Sequence, residues 1–245
     1  TYGDWSSDVC SSDLILSPRV NRSMESLPDD LHLAELLCAR LCHDLAGPVG
    51  AAAAGAELFE DLAEAADPET ISLVAASAAA AAARLRFFRA AFGPAATTPQ
   101  PAASLRDAIE AYLRTQVSAA SPGTSVDWDS DSPGFDGETA RLILNLVLLA
   151  KDALPRGGVV AVTSRKGQLT VAAQGEATVL GDEARAVLLE GAEPQGPRGA
   201  QAALAALLAR RRGSGLGVAF TAGGLAFAIA SNATHAKGER HRSDG

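Results

Sequence analysis

Two long helical patterns, separated by a short turn, fill residues 31–92. In the first pattern, leucines recur every four residues from Leu33 to Leu45 and form one apolar stripe. The second pattern contains the segment AASAAAAAARL, whose small side chains allow very close helix contact. An antiparallel hairpin of two such helices buries only one face of each helix. The sequence therefore predicts that two copies pair as a four-helix bundle, which makes the protein a homodimer.

Capping and helix-breaking residues set the limits of this hairpin. Asp67 is suited to cap the second helix, and Pro68 is suited to its first position. Inside the first pattern, the Gly47-Pro48 pair predicts an interruption or a kink, because proline cannot donate a helical hydrogen bond. We therefore expect one hairpin whose first helix is disturbed in the middle.

A linker rich in proline, alanine and threonine, at residues 94–103, follows the hairpin of residues 24–93. Helical and strand patterns then alternate across residues 104–231, which is typical of a two-layer α/β sandwich. Residues 232–245 form a polar tail that we expect to be frayed. The predicted fold class is therefore α+β, with a helical hairpin before a mixed domain.

The first 23 residues have neither an apolar period nor a basic leader. Residues 3–14 resemble the translation of a common DNA-sequencing adapter. We therefore expect residues 1–23 to be a non-native leader and Met24 to be the natural start, and we leave this segment out of the fold prediction.

Charge and cysteine content narrow the function classes. The net charge of −8 argues against nucleic acid as the main partner. The sequence has no continuous apolar run of the length that a membrane span needs, so we predict no span. Cys38 and Cys42 lie four residues apart with no second pair to complete a metal site, and we interpret them as reduced thiols. These features predict a cytoplasmic protein.

His43 is the candidate functional residue of the hairpin. At about 100° per residue, it lies roughly 120–200° from Leu37, Leu41 and Leu45, which predicts a solvent-facing ring. Small residues, Ala39 and Gly47, lie one turn before and after it. An exposed imidazole between small residues could be reached by the active site of another protein. A plain surface histidine without a function would fit the same position.

An accessible imidazole can accept a phosphoryl group if one ring nitrogen is unprotonated. In that hypothesis, Asp44 orients the ring through the other N–H or takes up the departing proton, and Arg40 neutralises phosphoryl oxygens. The remaining candidate contacts to the phosphoryl group or to a partner are Ala39, Gly47 and Pro48.

The string LCHDLAGPVGAAAAGAELFE, which begins at Leu41, resembles the His-Asp/Glu-x-x-x-Pro phosphoacceptor box of two-component signalling proteins. It is more similar still to the bacterial ChpT family of histidine phosphotransferases, and the resemblance extends through LILNLVLLAKDALPRGG at residues 142–158. It implies a homodimeric helical bundle followed by a degenerate copy of the histidine-kinase ATP-binding domain. The sequence departs from the family at Gly47, where a small hydroxyl or amide residue is more usual.

A working ATP-binding domain of that type needs an Asn-x-x-x-Asn helix for Mg²⁺, an adenine-reading Asp and glycine-rich phosphate turns. Here Asn145 is present, but the second position is Leu149, which has no oxygen ligand. The Asp-x-Gly-x-Gly turn would fall on residues 173–177, where Ala173 replaces the aspartate. The glycine-rich segment 213–217 follows a predicted helix, so it predicts a helix end and not a phosphate loop.

The predicted function is therefore a phosphorelay histidine phosphotransferase. His43 would take a phosphoryl group from the receiver-domain aspartate of a hybrid histidine kinase and pass it to response-regulator receivers. We expect no cofactor on this chain, and Mg²⁺ would be supplied by the receiver domain. Two alternatives stay open: an active histidine kinase or phosphatase, which ATP binding would distinguish, and a non-catalytic dimer that binds receivers without transfer.

Overall fold

The computed structural model describes residues 30–61, 68–117, 123–221 and 223–230. The predictions for the leader, for the cap at Asp67 and for the polar tail lie outside these residues.

Two long helices form the N-terminal hairpin: α1 (Asp30–Asp61) and α2 (Pro68–Phe92). They run antiparallel, because Gly55 of α1 lies against Val74 while Asp44 contacts Arg84. The absence of a side chain at Gly55 permits this approach, since a Cβ there would collide with the Val74 side chain. Of the predicted interruption or kink at Gly47-Pro48, the interruption is wrong, because α1 continues through both residues, and the kink stays a prediction.

The rest of the chain forms a mixed domain. Its helices are α3 (Ala102–Arg114), α4 (Gly137–Asp152), α5 (Asp182–Glu190) and α6 (Pro197–Arg211). Its strands are β1 (Gln100–Pro101), β2 (Thr124–Ser130), β3 (Gly134–Phe135), β4 (Gly158–Arg165), β5 (Gln168–Gln174), β6 (Gly215–Thr221) and β7 (Gly224–Ala230). The main sheet has the order β2-β4-β5-β7-β6, in which only the β2–β4 pair is parallel.

The short β1 strand corrects the predicted linker of residues 94–103. Gln100 and Pro101 pair with β3, and α3 begins at Ala102, so the last four of these residues belong to the mixed domain. Their composition is typical of a linker, but their backbone finds pairing partners more than thirty residues away at Phe135 and Gly134.

The core lies between the main sheet and the helices packed on it. In β5, Leu169, Val171 and Ala173 are buried in strict alternation, as in a strand with one covered face. Helix α4 is buried from Leu142 to Ala150 because it packs against the sheet, α6 and α2. The predicted α+β fold with helices layered on a sheet is confirmed.

The leucine stripe of α1 packs within the same chain. Leu33 is buried, while Leu37 and Leu41 lie partly buried against the core. At the far end of α2, Phe87 stacks on Tyr112 of α3 with ring centroids 4.1 Å apart. The hairpin and the mixed domain therefore share one apolar core, and this stripe is not free to pair with a second copy.

Helix α2 is the one helix among the described residues with the length and apolar composition of a membrane span, and 17% of its most apolar window is buried. The sequence prediction of no span did not anticipate this result. The outer surface of α2 carries exposed apolar residues, including Ile71 and Leu85. The homodimer stays a prediction, and these exposed residues are a candidate interface for it.

Candidate functional site

His43 projects from the middle of α1 into solvent. Its side chain is 88% exposed, in agreement with the position of residue 43 on the helical wheel. Its Nδ1 atom lies 3.3 Å from Oδ1 of Asp44. Because a carboxylate can only accept a hydrogen bond, this contact requires the proton on Nδ1. The lone pair of the imidazole is then on Nε2, which is the nitrogen that can attack an electrophile.

The surroundings of the imidazole are small and open. Ala39 and Gly47 are exposed, and Pro48 is half-buried. A side chain built at Gly47 would meet nothing within 4 Å. Gly47 also lacks the Cβ that would clash with the ring of a following proline in a helix, which helps α1 to continue through Pro48. The three predicted contact residues thus surround a surface that a partner protein can approach.

Arg40 lies elsewhere than the sequence suggested. It is 6% exposed, and its Nη2 atom forms an ion pair at 2.7 Å with Oδ2 of Asp152, at the end of α4. Its Nε atom lies 3.8 Å from Oδ2 of Asp44. The predicted role as a phosphoryl contact therefore needs correction, because the guanidinium is buried in the seam between α1 and the mixed domain.

The charge of Arg40 is maintained by its neighbours. Burial alone would lower the pKa of the guanidinium, but the attraction of Asp152, aided by Asp44, outweighs it and the pKa is raised. Tyr112 lies in the same cluster, and burial together with the charges of Asp152 and Asp44 raises the pKa of its hydroxyl. At neutral pH the cluster therefore contains a charged arginine and a neutral tyrosine.

Pro48 leaves the carbonyl of Asp44 without its helical donor, because that carbonyl lies four residues earlier. Arg84 of α2 replaces the missing donor: its Nη1 atom donates to the Asp44 carbonyl at 2.6 Å. The same guanidinium donates to Thr115 at the end of α3, from Nε to Oγ1 at 3.0 Å and from Nη2 to the carbonyl at 2.5 Å. Arg84 thus joins α1, α2 and α3 beside His43.

Sequence reasoning missed Arg84, Thr115 and Asp152. One signal was available, since a proline inside a helix demands a substitute donor for the carbonyl four residues before it. The arginine that ends the alanine run of α2 was a candidate for that donor. No local pattern indicates Asp152, because the end of α4 and Arg40 of α1 come together only in the tertiary fold.

Asn145 and Leu149, the two positions compared with the Asn-x-x-x-Asn pattern, are buried by the chain itself. The amide nitrogen of Asn145 donates to the carbonyls of Ala91 and Arg141, each at 2.8 Å, and its oxygen accepts from Gln201 at 2.7 Å. Asn145 is fully buried and Leu149 is 3% exposed. The asparagine therefore ties α4 to α2 and α6.

A cavity of about 200 Å³ remains beside the end of α4. Three carboxylates, those of Asp152, Asp182 and Glu183, line it together with Arg198 and several apolar residues. This excess of negative charge opposes a polyphosphate. Within the described part of the chain, no group of three or more acidic, histidine or cysteine side chains could hold a metal ion.

Comparison with known proteins finds a matching family model and a similar sequence. A family model described as the histidine phosphotransferase C-terminal domain matches residues 103–223. The protein phosphotransferase ChpT of Brucella abortus (strain 2308) is 35% identical over 134 residues. By these two comparisons, this chain is similar to histidine phosphotransferases of the ChpT type. The matched segment is 54% of this chain and spans 60% of the Brucella ChpT protein.

A solved structure supports the same fold across the hairpin and the mixed domain. The 1.7 Å structure of a bacterial phosphotransferase matches with a TM-score of 0.69 at 28% identity. The match covers 84% of this chain and 100% of that one. The structural similarity therefore extends over the hairpin as well as the mixed domain.

Proposed function

We propose that this chain is a histidine phosphotransferase of a two-component phosphorelay and that His43 is its phosphoacceptor. The observation that carries the proposal is the 88% exposed imidazole beside the Asp44 carboxylate, in the family's acceptor motif. The donor is a phospho-aspartate on the receiver domain of a hybrid kinase, and the final acceptors are receiver aspartates of response regulators. The similarity to histidine phosphotransferases supports these partners.

The transfer needs only the groups that the site presents. Nε2 of His43 attacks the phosphorus of the aspartyl phosphate, so an N–P bond forms as the P–O bond to the receiver's aspartate breaks. The aspartate leaves as a carboxylate. The ring becomes positively charged, and Asp44 stabilises or accepts the proton on Nδ1. The reverse sequence passes the phosphoryl group to a second receiver.

The chain is proposed to work without its own nucleotide or metal. The buried oxygen of Asn145, the leucine at position 149 and the acidic lining of the adjacent cavity support this proposal. Mg²⁺ then comes with the receiver domain, next to the aspartate that carries the phosphoryl group.

The working form is proposed to be a cytoplasmic homodimer. Exposed apolar residues on the outer face of α2, among them Ile71 and Leu85, support pairing of two hairpins. The net charge of −8 and the acceptor motif, which is shared with intracellular signalling proteins, support the location.

The test uses a panel of all receiver domains of the source genome, each loaded with labelled phosphoryl groups from acetyl phosphate. We expect the full chain to take acid-labile label from at least one receiver, and His43→Ala to take none. His32→Ala is the matched control, because His32 lies on the same helix and its side chain is 47% exposed. Equal labelling of the His43→Ala protein would contradict the proposal.

A further inference from the structure

Asp152 belongs to the mixed domain, yet its carboxylate reaches the acceptor helix. Its side chain is 17% exposed, and its Oδ2 atom forms the 2.7 Å ion pair with Arg40. Lys151 is its second cationic neighbour, with Nζ 3.6 Å from Oδ1. The contact crosses from α4 to α1 and lies one helical turn from His43.

Arg40 depends on two carboxylates. The residue is buried, and its Nε and Nη1 atoms have no hydrogen-bond partner in the structure. A buried guanidinium without compensation is costly, so the ion pairs with Asp152 and Asp44 hold it in place. Asp152 is the closer partner and therefore sets where the guanidinium lies.

The Asp44 carboxylate is shared between the buried arginine and the exposed histidine. Its Oδ2 atom lies 3.8 Å from Nε of Arg40, and its Oδ1 atom lies 3.3 Å from Nδ1 of His43. Oδ2 thus holds the carboxylate toward Arg40, while Oδ1 faces the imidazole. A continuous series of charged contacts runs from Asp152 through Arg40 and Asp44 to the acceptor ring.

We propose that Asp152 is a positioning residue for the phosphoacceptor: it anchors Arg40, Arg40 orients Asp44, and Asp44 keeps the proton of His43 on Nδ1. The inference rests on the proposed role of His43 as acceptor. The tautomer matters because the hydrogen bond at one ring nitrogen decides which nitrogen keeps its lone pair. With Nδ1 protonated, the lone pair is on Nε2, the nitrogen farther from the backbone and open to a partner.

Loss of the Asp152 charge disturbs the rest of the series. In Asp152→Asn, Arg40 keeps Asp44 as its remaining anionic partner in the series. The guanidinium either moves closer to Asp44 and pulls its carboxylate away from His43, or it moves out of the space between α1 and the mixed domain. In the second case it no longer orients the Asp44 carboxylate. In both cases the contact between Asp44 and Nδ1 weakens, and the ring gains the Nε2-protonated form.

The experiment compares full-length wild type with Asp152→Asn, using ¹⁵N chemical shifts of the His43 ring and the rate of labelling by a phosphorylated receiver. We expect the shifts to move toward the Nε2-protonated tautomer and the labelling rate to fall about tenfold, the scale typical of groups that orient a reactive ligand. Asp107→Asn is the matched control, because Asp107 is exposed on α3. It should leave both measurements unchanged. A folded Asp152→Asn protein with wild-type shifts and rate would overturn the proposal.

Arg40→Met provides the second arm, for the case in which Asp152→Asn unfolds. It leaves Asp152 partly exposed beside Lys151 and should also weaken the Asp44 contact. Because Asp152 acts through Arg40, adding Asp152→Asn to Arg40→Met should change neither the shifts nor the rate further. A full additional loss in the double variant would show that Asp152 acts by another route and would overturn the inference.

The two measurements separate this inference from the proposed function. If no receiver labels the wild type, the acceptor role fails, while the tautomer shift in Asp152→Asn still decides the positioning role. If the wild type is labelled and the variants match it in both measurements, the positioning role fails and the acceptor role stands.

Discussion

At the scale of single residues, Asp44 links the exposed His43 to the rest of the molecule. Its carboxylate contacts His43 and Arg40, and its carbonyl accepts from Arg84. The sequence predicted the exposed histidine and its acidic neighbour, because both follow from helical periodicity. It could not predict the burial of Arg40, because the partner that buries it lies more than a hundred residues later.

Asp44→Asn tests the chemical part of this arrangement. An amide cannot accept the Nδ1 proton, so we expect transfer to slow in both directions by roughly 100-fold, the lower end for acid–base catalysis by a side chain. Rapid-quench labelling and its reverse, discharge to a receiver, measure the two rates. An unchanged rate in both directions would remove Asp44 from the mechanism.

Arg84→Ala tests the structural part. It leaves the Asp44 carbonyl without a donor, and we expect a loss of about 1.5–3 kcal/mol in the free energy of unfolding. Pro48→Ala restores a backbone N–H to that carbonyl, so Arg84→Ala should cost less in a Pro48→Ala background. Urea unfolding of the four proteins measures the coupling, with exposed Arg86→Ala as the control. Strict additivity would show that Arg84 does not act as the proline's substitute donor.

At the scale of elements, the predicted helices and strands are mostly present where their periods placed them. Helix α2, Pro68–Phe92, begins at the proline that suits a first helical position and ends before Gly93-Pro94. The errors have tertiary causes. Helix α1 survives Pro48 because another helix supplies the missing donor, and the linker loses its last residues to a strand pairing with β3.

The contact between α1 and α2 gives two glycine substitutions opposite outcomes. A Cβ at Gly55 would collide with Val74, so Gly55→Ala should destabilise the fold by about 1–3 kcal/mol, and Val74→Ala should partly restore it. A Cβ at Gly50, on the same helix, meets nothing within 4 Å. Gly50→Ala should therefore stabilise by about 0.5–1 kcal/mol. Thermal and urea unfolding compare them, and equal effects would contradict the close approach at Gly55.

At the scale of the whole molecule, the mixed domain and the hairpin hold each other together. The leucine stripe of α1 packs on the mixed domain, so pairing of two copies must use other surfaces. On α2, an outward stripe of exposed residues runs from Ile71 through Ala78 to Leu85. We expect a dimer by light scattering, and a monomer for Ala78→Asp, because a charge would be buried without a partner. Ala76 is exposed but faces away from the stripe, so Ala76→Asp should stay dimeric. Equal masses for the Ala78→Asp and Ala76→Asp proteins would refute this interface.

The mixed domain of the whole molecule is expected not to bind ATP. Its helices and sheet are intact, but the side-chain oxygen of Asn145, at the position that would hold Mg²⁺, accepts a hydrogen bond from Gln201. Carboxylates line the cavity beside the end of α4. Calorimetry of the full chain with ATP and Mg²⁺ should therefore show no saturable heat, and incubation with labelled ATP should leave His43 unlabelled. Asp182→Asn with Glu183→Gln removes the repulsion but supplies no ligand, so it should not create binding either. Saturable ATP binding by the wild type would favour an active kinase over a relay. Binding by the double variant alone would show that the acidic lining of the cavity, and not the missing Mg²⁺ ligands, prevents ATP binding.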